Sequence, residues 1–229
     1  MANTQDDTDH ALTARLRELD SCVVSDACDV HGLSPVLTRL KPMWEGARVA
    51  GRVVTVQLAE VSPDRRPPPV HLGVRAIQSC GPGDVIVIAN DGRTGMGGWG
   101  GLLSLAATSA GVGGVVLDGA CRDVDEARDL KFPVFALSGV VRTARGRVHE
   151  IATGDPVAIG EVTVSTGDFV IADGSGVVVL PHDRAAEIVA TAEGLKDRED
   201  ALAAQLRNGA PPAEVLGGGY EKMLVRGTD

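Results

Sequence analysis

Aromatic side chains are scarce in this chain: three Phe, two Trp and one Tyr amount to 3% of it. A core with so few rings has to be filled by Val, Ala, Leu and Ile, and such a filling favours a strand-rich α/β protein. Long apolar runs are missing too. No stretch approaches the ~18–20 apolar residues of a membrane span, and the N-terminal MANTQDDTDHALTARLRELD lacks the apolar centre of a secretory leader. The expected address is therefore cytoplasmic, with no membrane partner. Cys22, Cys28, Cys80 and Cys121 form no CxxC pair and have no clustered histidines beside them, which excludes the common zinc spacings and leaves reduced, mostly buried thiols. Positive charge is also short. With 22 basic against 31 acidic residues the formal net charge is −9, and no lysine/arginine cluster offsets it locally, so nucleic acid is excluded as a partner.

What is present is glycine, 29 of 229 residues, scattered with 12 prolines among apolar runs rather than at a fixed period. That pattern describes many tight turns in a folding chain, not a collagen-like or disordered one. The length suits one α/β domain over residues 1–229. An N-terminal helical region is expected over about 9–32, from Leu12, Leu16 and Leu19 at helical spacing and from SDACDVHG, read as a second helix capped by Ser25. Strands are expected at 47–60 and 84–89, in GGVVLDG, in PVFALSG, and three or four more in GDPVAIGEVTVSTGDFVIADGSGVVVLP. Helices are expected at 70–79, in LLSLAATSAGV, in RDVDEARDL and over about 183–207, while VSPDRRPPPV reads as a loop and the tail from Gly209 as loose. Helix–strand alternation followed by strand-only sequence gives a layered α/β fold with mixed sheets.

Two segments carry candidate chemistry. DGRTGMGGWGG lies between a buried strand and a helix, where small residues expose backbone N–H groups to an anion. Gly95, Gly97 and Gly100 spell GxGxxG, but NDGRT separates them from the strand, unlike the tight first turn of a dinucleotide site; a loop that only turns the chain is the plainer reading. In DGACRDVDE, adjacent Arg122 and Asp123 follow a strand's carboxyl end. Arg can grip a carboxylate through two parallel hydrogen bonds and Asp can hold Mg²⁺, directly or through water. The plain alternative is equally open: Asp123 as a helix N-cap with Glu126 completing a capping box, and Arg122 in a surface ion pair. His31 and Trp44 read as structural, Trp99 as a packing group that could wall a site, and Asp26 and Asp29 as helix-dipole partners. Asp118 and Asp173, each near a glycine, read as turn-shaping residues.

GGWGGLLSLAATSAGVGGVVLDGACRDVDEARDLKFPVF and GDFVIADGSGVVVLP, with VSDACDVHG and AGRVVTV upstream, resemble the family of 4-hydroxy-4-methyl-2-oxoglutarate aldolase, 4-carboxy-4-hydroxy-2-oxoadipate aldolase and the regulator of ribonuclease activity A. The resemblance spans roughly residues 10–210. It implies a swivelling α/β/α-type domain that assembles into homotrimers or hexamers with active sites between subunits. It further implies that Arg122 binds the carboxylate of a small 2-oxo acid, that Asp123 anchors Mg²⁺ or Mn²⁺, and that Gly100, Gly101, Leu102 and Leu103 offer backbone N–H groups to the same carboxylate. Glu199, before Gly209 in the last helix, would reach the metal-bound water of a neighbouring subunit.

One departure stands out. The aldolases of the family carry an acid 21 positions before the Arg, where this chain has Gly101. Losing CO₂ forms an enolate directly, whereas retro-aldol cleavage also needs a base for the substrate hydroxyl, so the departure favours oxaloacetate-type decarboxylation or enolisation. The regulator branch, which acts by protein contact, generally lacks the Asp; the retained Asp123 points to the metal-dependent lyases. A specialised lyase or isomerase with a reshaped pocket around Gly101 and Trp99 is the third possibility.

Overall fold

The computed structural model describes residues 4–62, 70–218 and 220. Its elements run α1 (Thr4–Arg17), α2 (Ser21–Val30), β1 (Lys41–Pro42), β2 (Val49–Glu60), α3 (Val74–Ser79), β3 (Val85–Trp99), α4 (Gly101–Ser109), β4 (Gly114–Cys121), α5 (Val124–Asp129) and β5 (Val134–Gly139). They continue through β6 (Val148–Thr153), β7 (Val157–Ile159), β8 (Val162–Val164), β9 (Phe169–Ala172), β10 (Val177–Leu180), α6 (His182–Arg207) and α7 (Pro212–Val215).

Strands β2 to β5 are parallel neighbours, with α3, α4 and α5 as crossovers, and the sheet order is β1-β5-β4-β3-β2-β9-β10. Strand β2 is the pivot: its first residues, Val49–Arg52, pair antiparallel with β9 and its last, Val56–Glu60, with β6. The result is the mixed α/β fold with a mixed sheet that the alternation pattern predicts.

Side chains alternate across a strand, and the alternation divides the apolar residues among three cores. Val54, Val56, Leu58, Ile86, Ile88, Val115 and Leu117 face α3–α5. Their neighbours Val53, Val85, Val87, Val116 and Phe135 face a core closed by β9, β10 and the β7–β8 hairpin. Phe169, Ile171, Val178 and Leu180, on the other face of β9–β10, bury Leu16, Val23, Val24, Ile188 and Val189 of α1, α2 and α6. Fully burying each such side chain stabilises the fold by about 1.5–3 kcal/mol, so the three cores rather than helix propensity hold these elements.

Several expectations change at this level. Helix α1 starts at Thr4, ahead of Asp9. Ser25 does not cap α2; Asp20 does, its Oδ1 accepting from the amides of Cys22 (2.9 Å) and Val23 (3.0 Å), because the first exposed donors lie one turn earlier. The glycine-dense segment is no free loop: β3 runs through it to Trp99, with register shifts against β4 that accommodate the extra residues. Strand β6 was not predicted, and α7 forms in the tail expected to be loose. Cys22 is exposed while Cys28 and Cys121 are buried. Residues 63–69 of the proline-rich stretch lie outside the described residues.

Candidate active site

Where β3 and β4 end side by side, their register shifts bring two segments together that are separate in sequence. The Arg122 amide donates to Trp99 O at 2.9 Å, which aligns the start of α4 with the turn that leads into α5. Asp123 occupies this turn in the left-handed region, φ 56° and ψ 44°, a conformation that Asp tolerates better than most side chains. Such backbone costs about 1–3 kcal/mol and persists only where its surroundings impose it.

That conformation decides between the two readings of Asp123. Its carboxylate makes no capping bond to α5; instead Oδ2 accepts from the Gly101 amide at 3.0 Å. The capping-box reading is therefore overturned. Its other oxygen lies 3.7 Å from Arg122 Nη2, and the two side chains are 33% and 36% exposed, so both present charge to solvent. Arg122 Nε is buried without a hydrogen-bond partner. The stem of Arg122 crosses Gly97, where a Cβ would lie 2.6 Å from its Cγ, and a Cβ on Gly100 would lie 3.0 Å from Asp123 Oδ2. Glycine at 97 lets the Arg122 stem pass, and a side chain at 100 would crowd the Asp123 carboxylate.

These groups open on a cavity of 460 Å³ lined by His71, Leu72, Val74, Gly97, Trp99 to Leu103, Ala106, Arg122, Asp123 and Thr143 to Arg145. Trp99 forms the floor: it is 2% exposed, donates from Nε1 to Ser104 Oγ at 2.9 Å and stacks on Phe132. The early amides of α4 have no carbonyl to donate to within the helix, and the helix dipole adds positive potential there. The Gly101 N–H is spent on Asp123, which leaves those of Leu102 and Leu103 for an incoming anion.

The family model described as RraA-like, Aldolase/RraA, matches residues 21–179. The chain belongs to the RraA-like family. Among its relatives, protein DlpA of Legionella pneumophila is 30% identical over 206 residues, which cover 90% of this chain but only 33% of DlpA, so the chain spans a third of that relative's length. A 4-hydroxy-4-methyl-2-oxoglutarate aldolase of Thermus thermophilus is 30% identical over 160 residues, covering 69% of this chain and 92% of that one. Among solved structures, Streptomyces coelicolor RraAS2, an unusual member of the RNase ES inhibitor RraA protein family, superposes with a TM-score of 0.75 and 27% identity over 84% of this chain and 95% of its own. The RraA-like family thus joins aldolases and inhibitors on one fold, and the site has to separate them.

The site brings together Gly100, Gly101, Leu102, Leu103, Arg122 and Asp123 as the motif reading expects, with Trp99 as a wall. Glu199 is not with them in this chain. It lies on α6, where burial first, and then Asp26, Asp20 and Asp200, push its carboxyl above the usual range. His31 is likewise elsewhere, with Nε2 2.8 Å from Thr191 Oγ1. Three features escaped the motif reading. His71 and the Thr143–Arg145 segment line the cavity, and Arg142, Arg145 and Arg147 form a short basic run that the acidic total conceals. Glu126 is the third: a side chain on Gly101 would collide with Glu126 Oε2 and lie 2.7 Å from its Cδ. A carboxylate therefore stands beside Gly101 although the position itself carries none.

A divalent cation here would have Asp123 as one hard oxygen ligand, with the remaining positions falling to water and substrate oxygens, the manner in which Mg²⁺ is usually held. Among the described residues no three His, Cys, Asp or Glu side chains converge to form a closed metal cage. The donor set therefore fits an open, water-rich site and not a structural one. Thiol chemistry at Cys28, Cys80 and Cys121 is disfavoured, since burial pushes Cys121 up to about 11 and Cys28 and Cys80 up to about 12. No helix among the described residues is long and apolar enough to cross a membrane.

Proposed function

We propose that this chain is a divalent-metal-dependent carbon–carbon lyase that releases pyruvate from a small 2-oxo acid, by oxaloacetate-type decarboxylation, retro-aldol cleavage or both. One observation carries the reading: Arg122 and Asp123, held by a left-handed turn, face one cavity together with the open amides at the start of α4. Arg122 takes the substrate's 1-carboxylate in two parallel hydrogen bonds, and the Leu102 and Leu103 amides support it. Asp123 would hold Mg²⁺ or Mn²⁺, which would supply Lewis-acid pull on the 2-oxo oxygen. In decarboxylation the C3–C4 bond breaks, its electron pair passes into the enolate, CO₂ leaves, and C3 takes up a proton to give pyruvate.

Retro-aldol cleavage begins with loss of the proton on the C4 hydroxyl. We assign its acceptance to Glu126, whose carboxylate fills the space a side chain at Gly101 would need. The departure at Gly101 then moves the acid rather than removing it. Glu199 enters this scheme only from a neighbouring copy, so the reading includes a homotrimer or hexamer; Leu102 (78% exposed), Leu105 (49%) and Val141 (94%) are apolar surface available for such contacts.

The assay is pyruvate release from oxaloacetate and from a 4-hydroxy-2-oxo acid. Turnover that needs Mg²⁺ or Mn²⁺ and stops with EDTA is the expected result. The likeness to RraAS2 supports a second reading, a protein-binding regulator, which predicts no pyruvate and indifference to metal. A specialised isomerase on the same site would exchange the C3 protons of pyruvate without cleaving either acid.

A further inference from the structure

Pyruvate forms from its enolate only when C3 gains a proton, and neither member of the charged pair can give one. A guanidinium keeps its protons, and Asp123 is an acceptor already engaged by the Gly101 amide. Glu126 has the C4 hydroxyl to serve. Among the described residues that line the cavity, His71 carries the one side chain able to take and return a proton near neutrality.

The His71 ring is not spent on the fold. Its backbone is tied, the carbonyl accepting from the Val74 amide at 3.3 Å, but among the described residues neither ring nitrogen has a hydrogen-bond partner. His31 and His182 differ in this respect, with Nε2 2.8 Å from Thr191 Oγ1 and 3.3 Å from Asp9 Oδ1. The turn beneath His71 is fixed from behind. Gly73 is left-handed, its amide donates at 2.7 Å to the buried Glu150 carboxylate, and Thr153 Oγ1 donates to the same carboxylate at 2.5 Å. A Cβ on Gly73 would lie 3.0 Å from the Trp99 ring, so the turn is locked to the floor of the cavity.

His71 nevertheless stays exposed, which lets its ring trade protons with water. Partial burial of the ring first, and the Arg145 charge second, hold its imidazole below the usual range, so the neutral form, able to accept a proton, prevails at neutrality. An enolate beside the ring acts in the opposite sense and favours the imidazolium, which has a proton to give.

We propose that His71 is the catalytic acid–base for C3, carrying protons between solvent and that carbon of pyruvate or its enolate. This rests on the lyase reading for the presence of an enolate. In the cleavage direction the imidazolium gives up a ring N–H proton to C3: the C2–C3 π pair forms the new C–H bond, an electron pair on the enolate oxygen restores the 2-oxo group, and neutral imidazole is left. In the reverse direction the ring nitrogen's lone pair takes a C3 proton from pyruvate, that C–H pair becomes the C2–C3 π bond, and the 2-oxo π pair moves to oxygen. Water then exchanges the imidazolium proton, so each round trip can replace one methyl hydrogen. Glu126 thus handles the proton on oxygen and His71 the proton on carbon, whereas loss of CO₂ draws its electron pair from the C3–C4 bond and needs neither.

Two reactions test this in D₂O with Mg²⁺ present: methyl-proton exchange of pyruvate, followed by NMR, and CO₂ release from oxaloacetate above the background of the metal alone. The unsubstituted protein should perform both. His71→Ala should lower the ratio of exchange to CO₂ release about 100-fold or more, the usual worth of a positioned acid–base group, and His71→Gln, which keeps a polar side chain, should lower it as far. Added imidazole should restore part of the exchange lost in His71→Ala, a recovery that a residue serving only as a wall would not show. An unchanged ratio in both variants, a loss that imidazole does not relieve, or CO₂ release without any exchange in the unsubstituted protein overturns the proposal. Those results leave the lyase reading standing, since CO₂ is still released; absence of both reactions in the unsubstituted protein sinks the lyase reading and the proton carrier with it.

Discussion

Two cavities of similar size open on opposite parts of this molecule, and both are rich in charge. The first, 460 Å³, holds Arg122 and Asp123; the second, 390 Å³, is lined by Asp9, His10, Thr13, Arg17, Arg52 and the Ser79–Asp84 turn. In the second the charges are spent on the fold. Arg17 Nε donates to Ala50 O at 3.1 Å, Arg52 Nε lies 3.3 Å from Asp9 Oδ2, His182 Nε2 lies 3.3 Å from Asp9 Oδ1, and Asp84 Oδ2 accepts from the Gly81 amide at 2.8 Å. In the first, Arg122 and Asp123 are 3.7 Å apart and each about a third exposed, and the backbone beneath Asp123 is left-handed. Charge density does not mark a site. A charged pair left open to solvent, on backbone held at a conformational cost, does.

The contrast can be broken by substitution. Asp123→Asn should have the largest effect: Asn tolerates the left-handed turn and keeps an acceptor for the Gly101 amide, so melting should hardly move while metal-stimulated pyruvate release falls on the order of 100-fold or more. Retained turnover in steady-state kinetics would return Asp123 to a structural role. Next comes Gly101→Asp, which collides with Glu126 and should cut turnover about 10–100-fold; pairing it with Glu126→Ala should recover much of the loss, a coupling that separate, independent roles cannot produce.

The second cavity sharpens the comparison from its side. Arg52→Ala should lower stability by about 1–2 kcal/mol in urea titration, because Asp9 is only 6% exposed, and should leave the kinetics of pyruvate release as they were. A kinetic effect there would join the two regions functionally. The smallest effect concerns Asp173, on the α2 side of the molecule. Burial works against its charge, but hydrogen bonds from the Ser21 hydroxyl and amide and from the Ser175 amide outweigh it and hold its carboxyl below the usual range. A carboxyl depressed in the folded state contributes stability above the unfolded value and loses it as pH falls through the folded one. Ser21→Ala should therefore destabilise by about 1 kcal/mol at neutral pH and show a shallower loss on acidification below the carboxylate range, as followed by thermal melts from pH 7 to pH 3.

Much of the fold was legible. The Val-rich runs at β2, β4, β9 and β10 could only be strands, and the spacing of Ile188, Ala192 and Leu195 could only be a helix laid on a core. Strand β6 was not, because VHEIAT carries a buried His and Glu whose burial depends on partners from β2 and the Gly73 turn. The N-cap of α2 was misassigned since Asp20 and Ser25 are both competent caps, and only the packing of Val23 and Val24 fixes where the first turn begins. At the site, Arg122, Asp123 and the α4 amides were legible as a motif. His71 and Arg145 were not, since neither spacing nor composition says which distant segments converge, and Glu126 was read only as a capping-box partner of Asp123, its place beside Gly101 being set by the fold.

By itself the sequence determined which residues had to be buried, through the alternation of β-branched side chains and the near absence of rings, and it brought Arg122 and Asp123 to a strand's carboxyl end. Hydrophobic patterning is local, so those features could be read along the chain. Tertiary structure decided how the charges are used. Whether Asp123 caps a helix or faces a cavity follows from a φ of 56° and from the Gly101 amide 22 residues away, and that is a contact made only when β3 and β4 lie side by side.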